Sequence, residues 1–294
     1  MTASRLAFAA VVAVFILMTL GNVVSATGSG LACPDWPLCH GSMIPPLRAD
    51  VLIEYGHRLA ALAASVLIVA TSVATLARTR APGLRRLAWL VPALLVVQVA
   101  LGGITVLLKL PHLISTAHLV NALLILAALI ILGYGLRGAA VAPADRTRRL
   151  ARVGLIVLLV QLALGGYVRH SGAGLACPDF PLCSGDVLPT GWLPFVHWIH
   201  RWLGILLLGL FIHLAMAGKT AATRLAAALA ALQVSLGIAT VLLQLTPALR
   251  AAHAAVGYGL WAVLVWVSIE AGGWRGVVAS PPRPDAARRA AHAT

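Results

Sequence analysis

Apolar residues along this chain gather into eight long stretches, with polar residues collected between them. The stretches fall near 6–24, 51–77, 87–108, 113–136, 153–169, 194–217, 224–243 and 251–270. A helix needs about 20 apolar residues to cross a hydrocarbon core of about 30 Å. The pattern therefore predicts an all-α polytopic membrane protein with eight transmembrane helices. The fifth stretch is the shortest, and its end can be extended through Arg169.

The eight stretches form two series of four. "GLACPDWPLC" at Gly30–Cys39 returns as "GLACPDFPLC" at Gly174–Cys183, with only Trp36 and Phe180 differing. "EYGHRL" (Glu54–Leu59) has its partner in "HWIHRW" (His197–Trp202), and "QVALGGITVLL" (Gln98–Leu108) in "QVSLGIATVLL" (Gln233–Leu243). "STAHLV" (Ser115–Val120) matches "RAAHAAV" (Arg250–Val256). An even number of spans per repeat gives both copies one orientation. The expectation is two tandem four-helix bundles related by a pseudo-two-fold along the membrane normal. The first half covers 1–136 and the second 153–274. An Arg-rich cytoplasmic linker, 137–152, joins them, and a basic, disordered cytoplasmic tail occupies 275–294. The first stretch follows Arg5 as a signal peptide would. "LGNVVSATGSGLACPD" after it parallels "LGGYVRHSGAGLACPD" after the fifth, so it is expected to stay as a span.

Composition agrees: 61% of residues are hydrophobic and 10% charged, with a mean hydropathy of +0.95. A net charge of +14 on its own suggests nucleic acid. The cations instead sit in short clusters between apolar runs, which is a topology signal. With the N-terminus inside, 16 of the 22 Lys and Arg fall on the cytoplasmic side. That predicts an N-in, C-in protein of the bacterial plasma membrane, with both cysteine loops on the extracytoplasmic side.

Outside the reducing cytosol, cysteines six positions apart read as the disulfides Cys33–Cys39 and Cys177–Cys183. Zinc is the rival, with a spacing longer than zinc sites usually use. Whether such bridges only staple the loops or exchange electrons stays open. His57, His118, His200 and His253 each lie within about two turns of the outer end of an even-numbered span. Ionisable groups there are costly and usually functional. Facing imidazoles at one depth can clamp a heme iron, and the repeat supplies His57 with His118 and His200 with His253. One such histidine alone reads as an interhelical hydrogen bond; four at repeat-equivalent places do not. His40, His112, His170, His213 and His292 carry no such expectation.

Glu54 breaks the symmetry, since its counterpart is His197. Three residues before His57, it shares that helix face. It reads either as a base or cation stabiliser or as a structural partner of a histidine ring. Arg58 and Arg201 read either as contacts to heme propionates or as side chains snorkelling to water. Gln98 and Gln233 read as interhelical donors, and Gly102, Gly103 and Gly237 as sites of close helix approach.

These motifs, in this order and duplicated, resemble the bacterial heme A synthase family over nearly the whole chain. The resemblance implies an enzyme that oxidises a ring methyl of heme O to a formyl group in two successive steps, giving heme A for cytochrome oxidase. It implies that His57 and His118 hold the substrate heme, that His200 and His253 ligate a heme b cofactor, and that Glu54 is catalytic. Some family members lack one or both cysteine pairs, so the pairs are not universally catalytic. Implied partners are heme O, the lipid bilayer, heme O synthase, cytochrome oxidase assembly factors and an unidentified redox partner, with no nucleic acid. Two other classes compete. A di-heme b-type electron-transfer protein would carry the same four histidines. A transporter would place its polar groups at the midplane, whereas here they cluster at the outer end.

Overall fold

The computed structural model describes residues 2–138 and 145–278. Its long helices are α1 (Ala3–Ala26), α2 (Ala49–Arg78), α3 (Pro82–Leu107), α4 (His112–Gly135), α5 (Asp145–His170), α6 (Trp192–Gly218), α7 (Ala221–Leu242) and α8 (Pro247–Glu270), followed by a short α9 (Arg275–Val278). The eight long helices are apolar and long enough to cross a membrane. Local chemistry sets several ends. Thr2 accepts from the Arg5 N–H at the start of α1, and Thr220 and Thr223 form a reciprocal cap on α7. Proline, which has no N–H to leave unpaired, opens α3 and α8.

α5 corrects one expectation. It has 26 residues and begins at Asp145, inside the stretch read as linker. The apolar pattern stops at Arg146, Arg148, Arg149 and Arg152, but arginine is a good helix former. The helix therefore continues past the point where hydrophobicity ends. α9 corrects a second, because residues 275–278 are helical where a disordered tail was expected. Val278 is buried, and α9 packs on α3 and α4. Residues 139–144 and 279–294, the rest of the expected linker and tail, lie outside the described residues.

α1 to α4 close one four-helix ring and α5 to α8 another, joined through α1–α8, α4–α5 and α4–α8. α4 and α8 are the most enclosed of the spans, with Leu123, Leu126, Leu129 and Leu132 on α4 and Leu264 on α8 at zero exposure. Outward, Val66, Trp89, Val96 and Leu206 are exposed, as suits lipid-facing positions. Lipid tails are as apolar as these side chains, so the halves are held by packing and polar contacts rather than by hydrophobic burial. Trp261 Nε1–H donates to Leu123 O at 2.9 Å, and Arg169 Nε–H donates to Ser25 Oγ at 2.9 Å. Ser25 and Arg169 are repeat counterparts. Contact between counterparts is consistent with the expected pseudo-two-fold, whose axis would pass near them.

Candidate functional site

Each cysteine loop is a small knotted unit built twice. Cys33–Cys39 and Cys177–Cys183 are disulfides. Asp35 accepts the N–H groups of His40 (2.6 Å) and Gly41 (2.7 Å); Asp179 accepts those of Ser184 (2.7 Å) and Gly185 (3.0 Å). The chain reverses through positive φ at Gly41 and Gly185, a conformation that costs glycine little. The Gly41 N–H holds the Asp35 carboxyl below the usual carboxylate range, and the Ser184 N–H does so for Asp179. Their support of the loops is thus complete above that range and is lost as pH falls through the lowered values.

Both loops sit on an arginine. Arg58 donates to Asp35 O (2.8 Å), Leu38 O (2.5 Å) and Cys33 O (3.1 Å). Arg201 donates to Asp179 O (2.6 Å), Leu182 O (3.1 Å) and Cys177 O. The two guanidinium groups, read from sequence as propionate contacts or as snorkelling, spend these donors on the loops. Glu54, 4% exposed, completes the first clamp. One oxygen accepts from Arg58 Nη2 at 2.6 Å and the other from the Cys33 N–H at 2.8 Å. His197, 3% exposed, takes the same place in the second half, facing Arg201 Nε at 3.2 Å and the Cys177 N–H at 3.4 Å. A carboxylate can accept both donors; a neutral imidazole has one lone pair for two. The pairing of Glu54 with a histidine ring, one of the alternatives read from sequence, is replaced here by the loop amide and Arg58.

The four histidines lie one turn further in. His57 and His200 are each the ninth residue of their helices, and His118 and His253 each the seventh. Every ring stands against a glycine of the preceding odd-numbered helix. A methyl added at Gly21 would meet His57 Cε1 at 2.9 Å, and at Gly102 it would meet His118 Cε1 at 3.2 Å. At Gly165 it would meet His200 Cε1 at 2.8 Å, and at Gly237 His253 Cε1 at 3.0 Å. From sequence, Gly102 and Gly237 read as general helix-packing positions and Gly21 and Gly165 went unnoticed. Their spacing within the repeat was the available signal. Gly103 serves a different neighbour. Its missing side chain makes room for Trp36, 3.1 Å from the would-be methyl. Its counterpart is Ile238, and Trp36 has the smaller counterpart Phe180.

His200 and His253 face each other with ring centroids 6.4 Å apart. Metal–imidazole bonds are about 2.0 Å, so two axial rings on one metal stand roughly 6 Å apart. His253 Nδ1–H donates to Gln233 O at 3.1 Å, which leaves the Nε2 lone pair as the one available to a metal. In the structure that lone pair takes the Gln233 Nε2–H at 3.3 Å, and Gln98 caps His118 Nε2 in the same way at 3.2 Å. The Nδ1 atoms of His57, His118 and His200 are buried without a partner. Two imidazoles per half suit a metal already held by a macrocycle.

Residues 4–265 match the family model of the cytochrome oxidase assembly protein COX15-CtaA. The chain belongs to the heme A synthase family. It is 31% identical over 215 residues to a heme A synthase of Bacillus licheniformis, covering 67% of this chain and 68% of the relative. To a heme A synthase of Symbiobacterium thermophilum it is 35% identical over 219 residues, 68% of this chain and 71% of the relative. To that of Shewanella oneidensis it is 26% identical over 289 residues, 81% and 87% of the two chains. Heme binding is thus a property of the family, and the paired imidazoles fit it. The glycine seats then carry a prediction. Gly165→Ala would crowd the His200 ring and, where that ring ligates heme, is expected to cost most of the low-spin heme absorbance of the purified protein. Gly102→Ala, with more room, has a smaller effect. Unchanged spectra in Gly165→Ala would show that the seat does not position the ligand.

Proposed function

We propose that the protein oxidises a ring methyl of heme O to the formyl group of heme A. In this reading the N-terminal half holds heme O through His57 and His118, and the C-terminal half holds heme b through His200 and His253. The observation that carries the reading is the repeated pair of glycine-seated imidazoles, with a buried carboxylate, Glu54, beside one pair only. Heme b, when bound, supplies a one-electron relay between substrate and the outside redox partner. This chain's own residues do the rest. His57 and His118 orient the substrate porphyrin; the buried negative charge of Glu54, one turn from His57, stabilises positive charge developing at the oxidised carbon or accepts its proton. Arg58 fixes that carboxylate in place through a 2.6 Å ion pair.

The topology belongs to the same proposal. Both termini lie in the cytoplasm and both loops on the extracytoplasmic face of the bacterial plasma membrane, following the cation bias. The reading is tested by co-expressing the protein with a heme O source and mass-analysing extracted hemes. Heme A is expected only when the chain is present. Heme O recovered unchanged beside a normal heme b spectrum would favour a pure electron carrier.

A further inference from the structure

Two cations at the seam between the halves take no part in the proposed oxidation. Arg169, at the end of α5, donates through Nε to Ser25 Oγ and through Nη2 to Asn22 O, both at 2.9 Å. Arg250, in the first turn of α8, donates through Nη1 to Ala26 O at 3.3 Å. Both are half-buried. Each guanidinium carries five N–H donors, so three of ten are used, on the last turn of α1. Among the described residues the ion pairs are Arg48–Asp50 and Arg58–Glu54, so no carboxylate pairs with either seam arginine. Both reach the same end of α1, Arg169 at Asn22 and Ser25 and Arg250 at Ala26. Like charges at an enclosed seam are costly unless an anion is brought to them.

Their position says which anion. Arg250 lies three residues before His253 on α8, on the same face and one turn nearer the loop-bearing end. Arg169 lies four residues beyond Gly165, the glycine against the His200 ring. Along the helix axes both residues therefore lie roughly one turn, about 5 Å, nearer the loop-bearing end than the level of the imidazole pair. A porphyrin of the heme b type carries its two carboxylates on one edge, and that edge turns toward the aqueous boundary. In the N-terminal half the matching residues are Ser25 and Ser115. Two cations in one copy thus answer to two neutral hydroxyls in the other.

We propose that Arg169 and Arg250 form a carboxylate seat that retains the heme of the C-terminal half, and that the serines at the matching places leave the N-terminal half free to release its heme. The proposal rests on assigning the resident heme to His200 and His253. A cofactor must stay and a product must leave, and charge-assisted hydrogen bonds supply that difference in retention.

The test uses full-length protein purified with heme b. Arg169→Gln, Arg250→Gln and the double variant are mixed with excess apomyoglobin, and transfer of heme is timed. Both axial histidines remain, so the low-spin spectrum is unchanged at the start. The double variant should lose heme about tenfold faster or more. With the dimethyl ester of heme b, which has no free carboxylate, parent and double variant should release at the same rate. Equal rates with heme b itself overturn the seat. A difference that persists with the ester also overturns it, and assigns the arginines to capping α1 or to a lipid phosphate. His200→Ala separates the two levels: if it keeps low-spin heme, the assignment of the resident heme fails, whatever the arginine variants do.

Discussion

Replacing His200 or His253 with Ala is expected to strip most of the low-spin heme from the purified protein. In the proposed reading each ring would supply one nitrogen to the heme iron, and the ring centroids lie 6.4 Å apart. The two other histidines on α6 are held elsewhere. His213 is bound to Arg146 Nη2 at 3.2 Å, thirteen residues further along α6, and His197 is held between Arg201 and the Cys177 N–H. Loss of either ring would therefore remove one of the two nitrogens available to hold the heme iron. Visible spectra and heme-to-protein ratios check the outcome. A normal low-spin spectrum in both variants would sink the assignment.

The second large effect is expected at Glu54. Glu54→Gln should lower heme A production by about 10²-fold or more, the usual scale for removing a charge that acts in a transition state. The structure adds a complication. Both oxygens accept hydrogen bonds, from Arg58 and from the Cys33 N–H, and an amide turns an NH2 group toward one of those donors. The other half shows that the loop tolerates this, because His197 meets the same two donors with one lone pair and the Cys177–Cys183 loop still closes. Glu54→Gln should therefore keep the Cys33–Cys39 bridge and the bound heme b, and accumulate heme O or its alcohol. His197→Gln should be milder. Extracted hemes report activity, and intact-mass analysis reports the disulfide. Near-normal heme A from Glu54→Gln would return this carboxylate to a purely structural role.

Much of the architecture was legible along the chain because membrane-spanning helices advertise themselves. A backbone in lipid must satisfy its own hydrogen bonds, so length and hydropathy suffice to find the spans. Where charge enters, that logic weakens. α5 runs through four arginines that interrupt the apolar pattern, because a helix does not end where the hydrocarbon does. Val277 and Val278 order the start of the tail because they find an apolar partner, and no local pattern could announce that partner.

The division at the site follows the same line. The repeat alone determined that there are two equivalent halves, that four histidines share one depth, that the cysteines lie close enough to bridge, and that Glu54 has no carboxylate counterpart. These are properties of spacing, and spacing is local. Only the tertiary structure decided what each side chain meets. It turned Arg58 and Arg201 onto loop carbonyls, put Glu54 and His197 into the same clamp, stood His57, His118, His200 and His253 each on a glycine from another helix, and brought Arg169 against its own counterpart Ser25. The partners in these contacts come from different elements of the chain. Their meeting is set by which helix packs on which and at what rotation, and that is decided by the assembled bundle rather than by any one segment.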